Sequence, residues 1–116
     1  MLMDLATLTA EAMRLSGLLD RGVQALREAS VEYAVAEHEY RRAKSEAYLS
    51  IEGTVGEREA QVYGMVGDKR HHRDLADGQR MAALEAVRSR RTQLSAIQSL
   101  LAAHKSEADF ARTGPR

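Results

Sequence analysis

An all-α fold, a long antiparallel helical hairpin of coiled-coil character, is what this sequence predicts, and three observations predict it. Aromatic residues make up only 4% of the chain, with one Phe and no Trp, while apolar residues reach 44% and charged ones 29%. That balance belongs to long helices rather than to a β-sandwich or barrel. The one proline is Pro115, so residues 1 to 112 lack the strongest helix breaker. Finally, Leu19, Leu26, Tyr33, Tyr40 and Ala47 recur every seven residues, interleaved with Gly22, Ala29, Ala36, Ala43 and Ser50, a period that keeps one seam of a helix against a neighbour.

The elements follow in order. Good helix formers run from Thr9 to about Glu52, interrupted only by Gly17 and Gly22, and Thr9 supplies an incomplete N-cap. Gly53 suits a left-handed helix stop, and Thr54-Val55-Gly56-Glu57 has the spacing of a capping box. A turn is therefore predicted at 53–54. A second helix is expected from about Val55 to Lys105, with kinks or fraying at Gly64, Gly67 and Gly78, each costing about 1 kcal/mol relative to Ala. Residues 1–112 form one domain, and 113–116 a flexible tail.

Small residues at every seventh position let a second helix approach closely. Folding about Gly53 sets residues whose numbers total roughly 107 opposite one another, which pairs Ala47 with Ala60, Tyr40 with Val66, Leu26 with Met81 and Leu19 with Val87. Farther from the turn it pairs Met13 with Leu94, Ala10 with Ile97 and Leu5 with Leu101. Leu8, Leu15, Leu18, Val23, Leu84 and Leu100 fall off that seam. Two helices alone bury little, so these residues are the candidate dimer interface, closing a four-helix arrangement or meeting another protein.

Charge is balanced overall, with 17 basic and 17 acidic residues, so no whole-protein field draws nucleic acid or a membrane. Its distribution is uneven. Residues 28–59 hold eight acids against four bases, and residues 68–91 hold seven bases against four acids. The hairpin lays one stretch beside the other, so cross-helix pairing accounts for the asymmetry. Alternatively, Lys69, Arg70, Arg73, Arg80, Arg88, Arg90 and Arg91 form a face that contacts nucleic-acid phosphates or a partner. No aromatic residues interleave with them to stack bases, and Asp68, Asp74 and Asp77 dilute the field.

Groups that carry chemistry are few. The absence of Cys removes disulfides, thiolate metal sites and a Cys nucleophile, and no Gly-rich loop with Lys-Ser or Lys-Thr is present to cradle a phosphate. His71 and His72 are adjacent and point about 100° apart on a helix, and His38 and His104 lack a ligand one turn away. Glu37 and Glu39 point to different faces, and Ser and Thr are scattered without a His and acid constellation. Gly53-Thr54-Val55-Gly56 and Gly64-Met65-Val66-Gly67 match the two-glycine loop of KH-type RNA binders, but that module also needs strands. A non-enzyme without cofactor or metal is expected. The N-terminus, Met1-Leu2-Met3-Asp4, has no basic region before an apolar core, and no apolar run is long enough to cross a bilayer, which leads to a cytoplasmic expectation.

The runs Glu39-Tyr40-Arg41-Arg42-Ala43-Lys44, Ala47-Tyr48-Leu49, Thr54-Val55-Gly56-Glu57-Arg58-Glu59-Ala60 and Arg90-Arg91-Thr92-Gln93-Leu94-Ser95-Ala96-Ile97-Gln98-Ser99-Leu100 resemble a pattern in small helical proteins of phages and prophages of Gram-positive bacteria. The resemblance spans roughly residues 33–104 and carries over no functional residues. It implies a host-cell cytoplasmic location and a place near DNA recombination or replication genes. The function expected on these grounds is a phage-type interaction or adaptor protein. An accessory nucleic-acid binder and an inhibitor of a host defence protein are the alternatives.

Overall fold

The computed structural model describes residues 4–114. Among them it contains three helices and no strand: α1 (Leu5–Ser50), α2 (Val55–Met65) and α3 (Gly67–Thr113). The chain is all-α and doubles back between α1 and α2 as an antiparallel helical hairpin. The expectations for Met1-Leu2-Met3 and for Pro115 and Arg116 of the tail lie outside the described residues, whereas Thr113 closes α3 rather than opening a tail.

Helix α1 begins four residues before the expected start, because the cap is Asp4 and not Thr9. The Thr7 amide donates to Asp4 Oδ1 at 2.7 Å and the Leu8 amide to the Asp4 carbonyl at 3.0 Å, satisfying amides that a helix start leaves open. Thr9 is already inside the helix, its hydroxyl donating to the Leu5 carbonyl. At the other end Gly53 takes φ +130°, a conformation open to glycine and costly for other residues. Thr54 then caps α2 in the predicted box: the Glu57 amide donates to Thr54 Oγ1 at 3.3 Å, and the Thr54 amide to the Glu57 carboxylate at 3.4 Å.

The second arm is broken once, at Val66, between Gly64 and Gly67 as the sequence suggested, while Gly78 sits inside uninterrupted α3. The break is shallow. The Val66 amide still donates to Val62 and the Arg70 amide to the Val66 carbonyl.

The chain packs as two compact units. One is Ala25–Leu84, which contains the turn. Its core is Ala47, Val62 and Val66, with Tyr40, Ala43, Tyr48 and Ile51 packed around it, and Ala36 and Ala76 are also buried. Small side chains at Ala36 and Ala43, of one seven-residue series, and at Ala47, of the other, bring the helices close. Tyr40 joins Val66 as the expected register has it.

The other unit combines Met1–Gln24 with Glu85–Arg116. Here Leu8, Leu15 and Val87 are buried. Leu8 and Leu15 extend the series of Gly22, Ala29 and Ala36 backward by sevens, so they occupy the intramolecular seam. Their assignment to an off-seam dimer face is corrected on this point: they are only 1% and 2% exposed within a single chain.

The fixed-total register also needs correction beyond the turn. It sets Glu85 against Gly22, but the side chain there is Val87; it sets Asp68 against Glu39, but the ion-pair partner is Lys69; it sets Arg70 against Glu37, but the partner is Arg73. Each real partner lies one to three residues farther along. A slip of one residue turns an α-helix by about 100°, so several predicted partners leave the seam: Ala60 and Ala10 are exposed, as are Met81, Met13 and Leu5.

Candidate interaction surfaces

The basic candidates lie in two places. In the Ala25–Leu84 unit, Lys69 pairs with Glu39 at 3.7 Å and Arg73 with Glu37 at 3.6 Å, which bears out the cross-helix pairing of acidic and basic stretches. Arg73 also binds Asp74, and Arg80 binds Asp77 on its own helix. The hydrogen bonds that Arg73 donates to Asp74, followed by the negative charges nearby, hold its guanidinium above its ordinary range.

Every tyrosine of the chain lies beneath an arginine. Arg73 sits 4.3 Å from the centre of the Tyr40 ring, Arg80 5.0 Å from Tyr33, Arg70 3.6 Å from Tyr63 and Arg58 5.5 Å from Tyr48. The first two pairs form an antiparallel ladder, because the tyrosines and the arginines are each seven residues apart. Two of the arginines also serve helix ends: Arg58 donates to the Tyr48 carbonyl at 2.6 Å and Arg70 to the Tyr63 carbonyl at 3.1 Å. These are last-turn carbonyls that the helices themselves cannot satisfy. Sequence reasoning set Arg70, Arg73 and Arg80 either against the acids of the first helix or on a face for nucleic acid or a partner, and placed no tyrosine beneath them. The signal that could have placed them was the shared seven-residue spacing of Tyr33 and Tyr40 with Arg73 and Arg80.

In the other unit, Arg88 binds Glu85 and Arg90 donates to Gln93. Arg91 is exposed beside Thr92 and Ser95. The seven basic candidates are therefore not gathered into one open phosphate-binding face. Among the described residues, no three His, Asp or Glu side chains lie close enough together to hold a metal ion.

Of the remaining dimer candidates, Leu18, Val23 and Leu84 are partly buried and Leu100 is exposed. A better-formed apolar feature lies in the Ala25–Leu84 unit, where Val31, Val35, Leu75 and Ala76 line a groove of 320 Å³ between α1 and α3. Glu32, His72 and Gln79 complete its wall. Sequence reasoning missed it because Val31 and Val35 stand outside both seven-residue series. Their four-residue spacing, which stacks them on one flank of a helix, was the signal to use.

No protein-family model matches the chain, and no curated protein or solved structure does either. The likeness to phage proteins consequently rests on the quoted residues alone. Among the described residues no helix is long and apolar enough to cross a membrane.

Proposed function

We propose that this chain is a non-enzymatic interaction protein of phage or prophage type, an adaptor that binds another phage or host protein through its exposed helical faces. One observation carries the reading: among the described residues twelve large hydrophobic side chains stay exposed, while eight apolar residues are buried. Isolated exposed apolar side chains are ordinary, but Val31, Val35 and Leu75 stand together around one groove, and a contiguous apolar patch is the kind of surface that another molecule covers. Use in phage DNA metabolism, or in restraining a host defence protein, follows from the sequence resemblance alone.

The nucleic-acid reading draws less support. Lys69, Arg73, Arg80 and Arg88 already face carboxylates, and the tyrosine rings that would stack bases are roofed by arginine. Cross-linking in the native host should recover a distinct protein partner that survives moderate salt. Recovery of the chain bound only to itself would overturn the adaptor reading. Retardation of DNA at low salt that fades steeply as salt rises would instead select the phosphate-binding alternative.

A further inference from the structure

We infer that the break at Val66 is a hinge and that Arg70 is the latch holding α2 at its present angle to α3. The inference stands apart from the choice of binding partner, because it concerns only how the Ala25–Leu84 unit is held together.

The helical run is weak at this point. Val66 takes φ −103° and ψ 15°, outside the α-helical well and in the sparsely populated region where turn residues sit. Two backbone bonds cross the break, from the Val66 amide to the Val62 carbonyl and from the Arg70 amide to the Val66 carbonyl. Gly67, Asp68 and Lys69 then open α3, the positions whose amides a helix leaves unpaired. Gly64 adds to the weakness. Its φ is not positive, and a Cβ there would meet nothing within 4 Å, so neither backbone conformation nor packing calls for glycine. What remains is its poor helix propensity. Beneath the break, Val62 and Val66 are buried in one core with Ala47, which gives the joint a fixed pivot.

One side chain spans the joint. Arg70, in the first turn of α3, donates from Nη1 to the Tyr63 carbonyl at 3.1 Å, the acceptor that a continuous helix would offer to the Gly67 amide. Its guanidinium lies over the Tyr63 ring, 3.6 Å from the centre, and its Nη2 lies 3.7 Å from the place of a Cβ on Gly67. A single planar group thus holds the last turn of α2 and covers the start of α3. Among the described residues Arg70 has no carboxylate partner to draw it away, whereas Lys69 and Arg73 face Glu39 and Glu37.

The arrangement recurs at the other interruption of the helical run. There Arg58 donates to the Tyr48 carbonyl at 2.6 Å and lies 5.5 Å from the centre of that ring. Helix α2 is therefore tied at both ends, each time by an arginine that covers the tyrosine whose carbonyl it binds. Release of Arg70 frees the end flanked by Gly64 and Gly67, and the exposed side chains of Tyr63 and Met65 move with it.

Amide hydrogen exchange of the full chain tests the latch. Arg70→Met should lower protection at residues 64–70 by about five-fold or more and leave residues 76–84 within about two-fold of the parent. Lys69→Met, which removes the neighbouring charge but no contact across the break, should leave 64–70 within about two-fold. Adding Gly64→Ala to Arg70→Met should recover about four- to five-fold in protection, the difference in helix propensity between the two residues. Because the chain has no Cys, spin labels on Gln61→Cys and Gln79→Cys, both at exposed positions, report α2 against α3. Their distance distribution should be narrow in the parent and broaden in Arg70→Met. Unchanged protection in Arg70→Met, a loss spread evenly along α3, no recovery with Gly64→Ala, or a distribution that does not broaden would overturn the inference. Should Arg70→Met fail to fold, Tyr63→Leu takes its place and must show the same local loss, since it removes the ring and spares the carbonyl.

Discussion

Val87 sets its Cγ2 3.4 Å from the point where a Cβ on Gly22 would lie. Gly22 is a recess in the seam of α1, and the branched side chain of α3 fills it and is itself buried. The contact puts the small-residue series on the seam: a helix without a side chain at this level lets its neighbour come close enough to exclude water.

Gly17 and Gly22 should therefore respond differently to enlargement. At Gly17 a Cβ meets nothing within 4 Å, so Gly17→Ala should raise stability by about 0.5–1 kcal/mol through helix propensity. Gly22→Ala makes ordinary van der Waals contact with Val87 and should also be tolerated, whereas Gly22→Leu drives into Val87 and should destabilise by about 1–3 kcal/mol. Urea unfolding followed by circular dichroism checks the series. Equal stability for Gly22→Ala and Gly22→Leu would contradict the close approach.

Leu15 and Met13 are two residues apart and test the corrected seam. Leu15→Ala opens a cavity at a fully buried site and should cost about 2–4 kcal/mol, while Met13→Ala, on the solvent side, should change stability by less than about 0.5 kcal/mol. A small effect at Leu15 in the same denaturant experiment would return that residue to an outer face.

Gly53 holds φ +130°, and a Cβ there would also lie 2.8 Å from Glu57 Oε2. Gly53→Ala should destabilise by at least about 1 kcal/mol, from backbone strain and disturbance of the Thr54–Glu57 capping box. Thr54→Ser keeps the hydroxyl and should be close to neutral. The prediction fails if thermal melts place Gly53→Ala at or above the parent.

Tyr40 and Arg73 bring their side chains together across the two helices. A double-mutant cycle with Tyr40→Leu and Arg73→Met should return a coupling of about 0.5–1 kcal/mol, the range of a partly exposed cation–π pair. Independent effects would mean that Arg73 serves Glu37 and Asp74 alone.

Asp4 makes the start of α1 sensitive to acid. The Thr7 backbone amide, and then the Thr7 hydroxyl, hold its carboxyl below the usual carboxylate range. A lowered value in the folded state means that the stabilisation is present above about pH 4, the unfolded value, and is lost as pH falls through the folded one. Protection factors at the Thr7 and Leu8 amides should drop between pH 5 and pH 2, and Asp4→Asn, which caps without titrating, should flatten that dependence. Unchanged acid sensitivity in Asp4→Asn would point to another group.

Much of this architecture is written locally. The helical class, the glycine turn, the Thr54–Glu57 box and the weak point between Gly64 and Gly67 each depend on residues within a few positions of one another, so propensity and capping chemistry determine them before any tertiary contact forms. The cap of α1 is equally local, formed by Asp4 and the amide three residues on.

What the folded chain alone decided is which residues meet. Partners across the hairpin lie far apart in the sequence, as Gly22 and Val87 do, and the four-residue connection and the break at Val66 each add a rotation that no numbering rule carries forward. A shift of one to three residues was enough to turn Met81 and Met13 outward, to bring Val87 onto Gly22 and to fold Leu8 and Leu15 into the seam. The same rotations set Arg73 and Arg80 over Tyr40 and Tyr33 and left Val31, Val35 and Leu75 around an open groove. Seven-residue spacing marks the faces of each helix, but the angle at which two helices confront one another is a property of the packed pair.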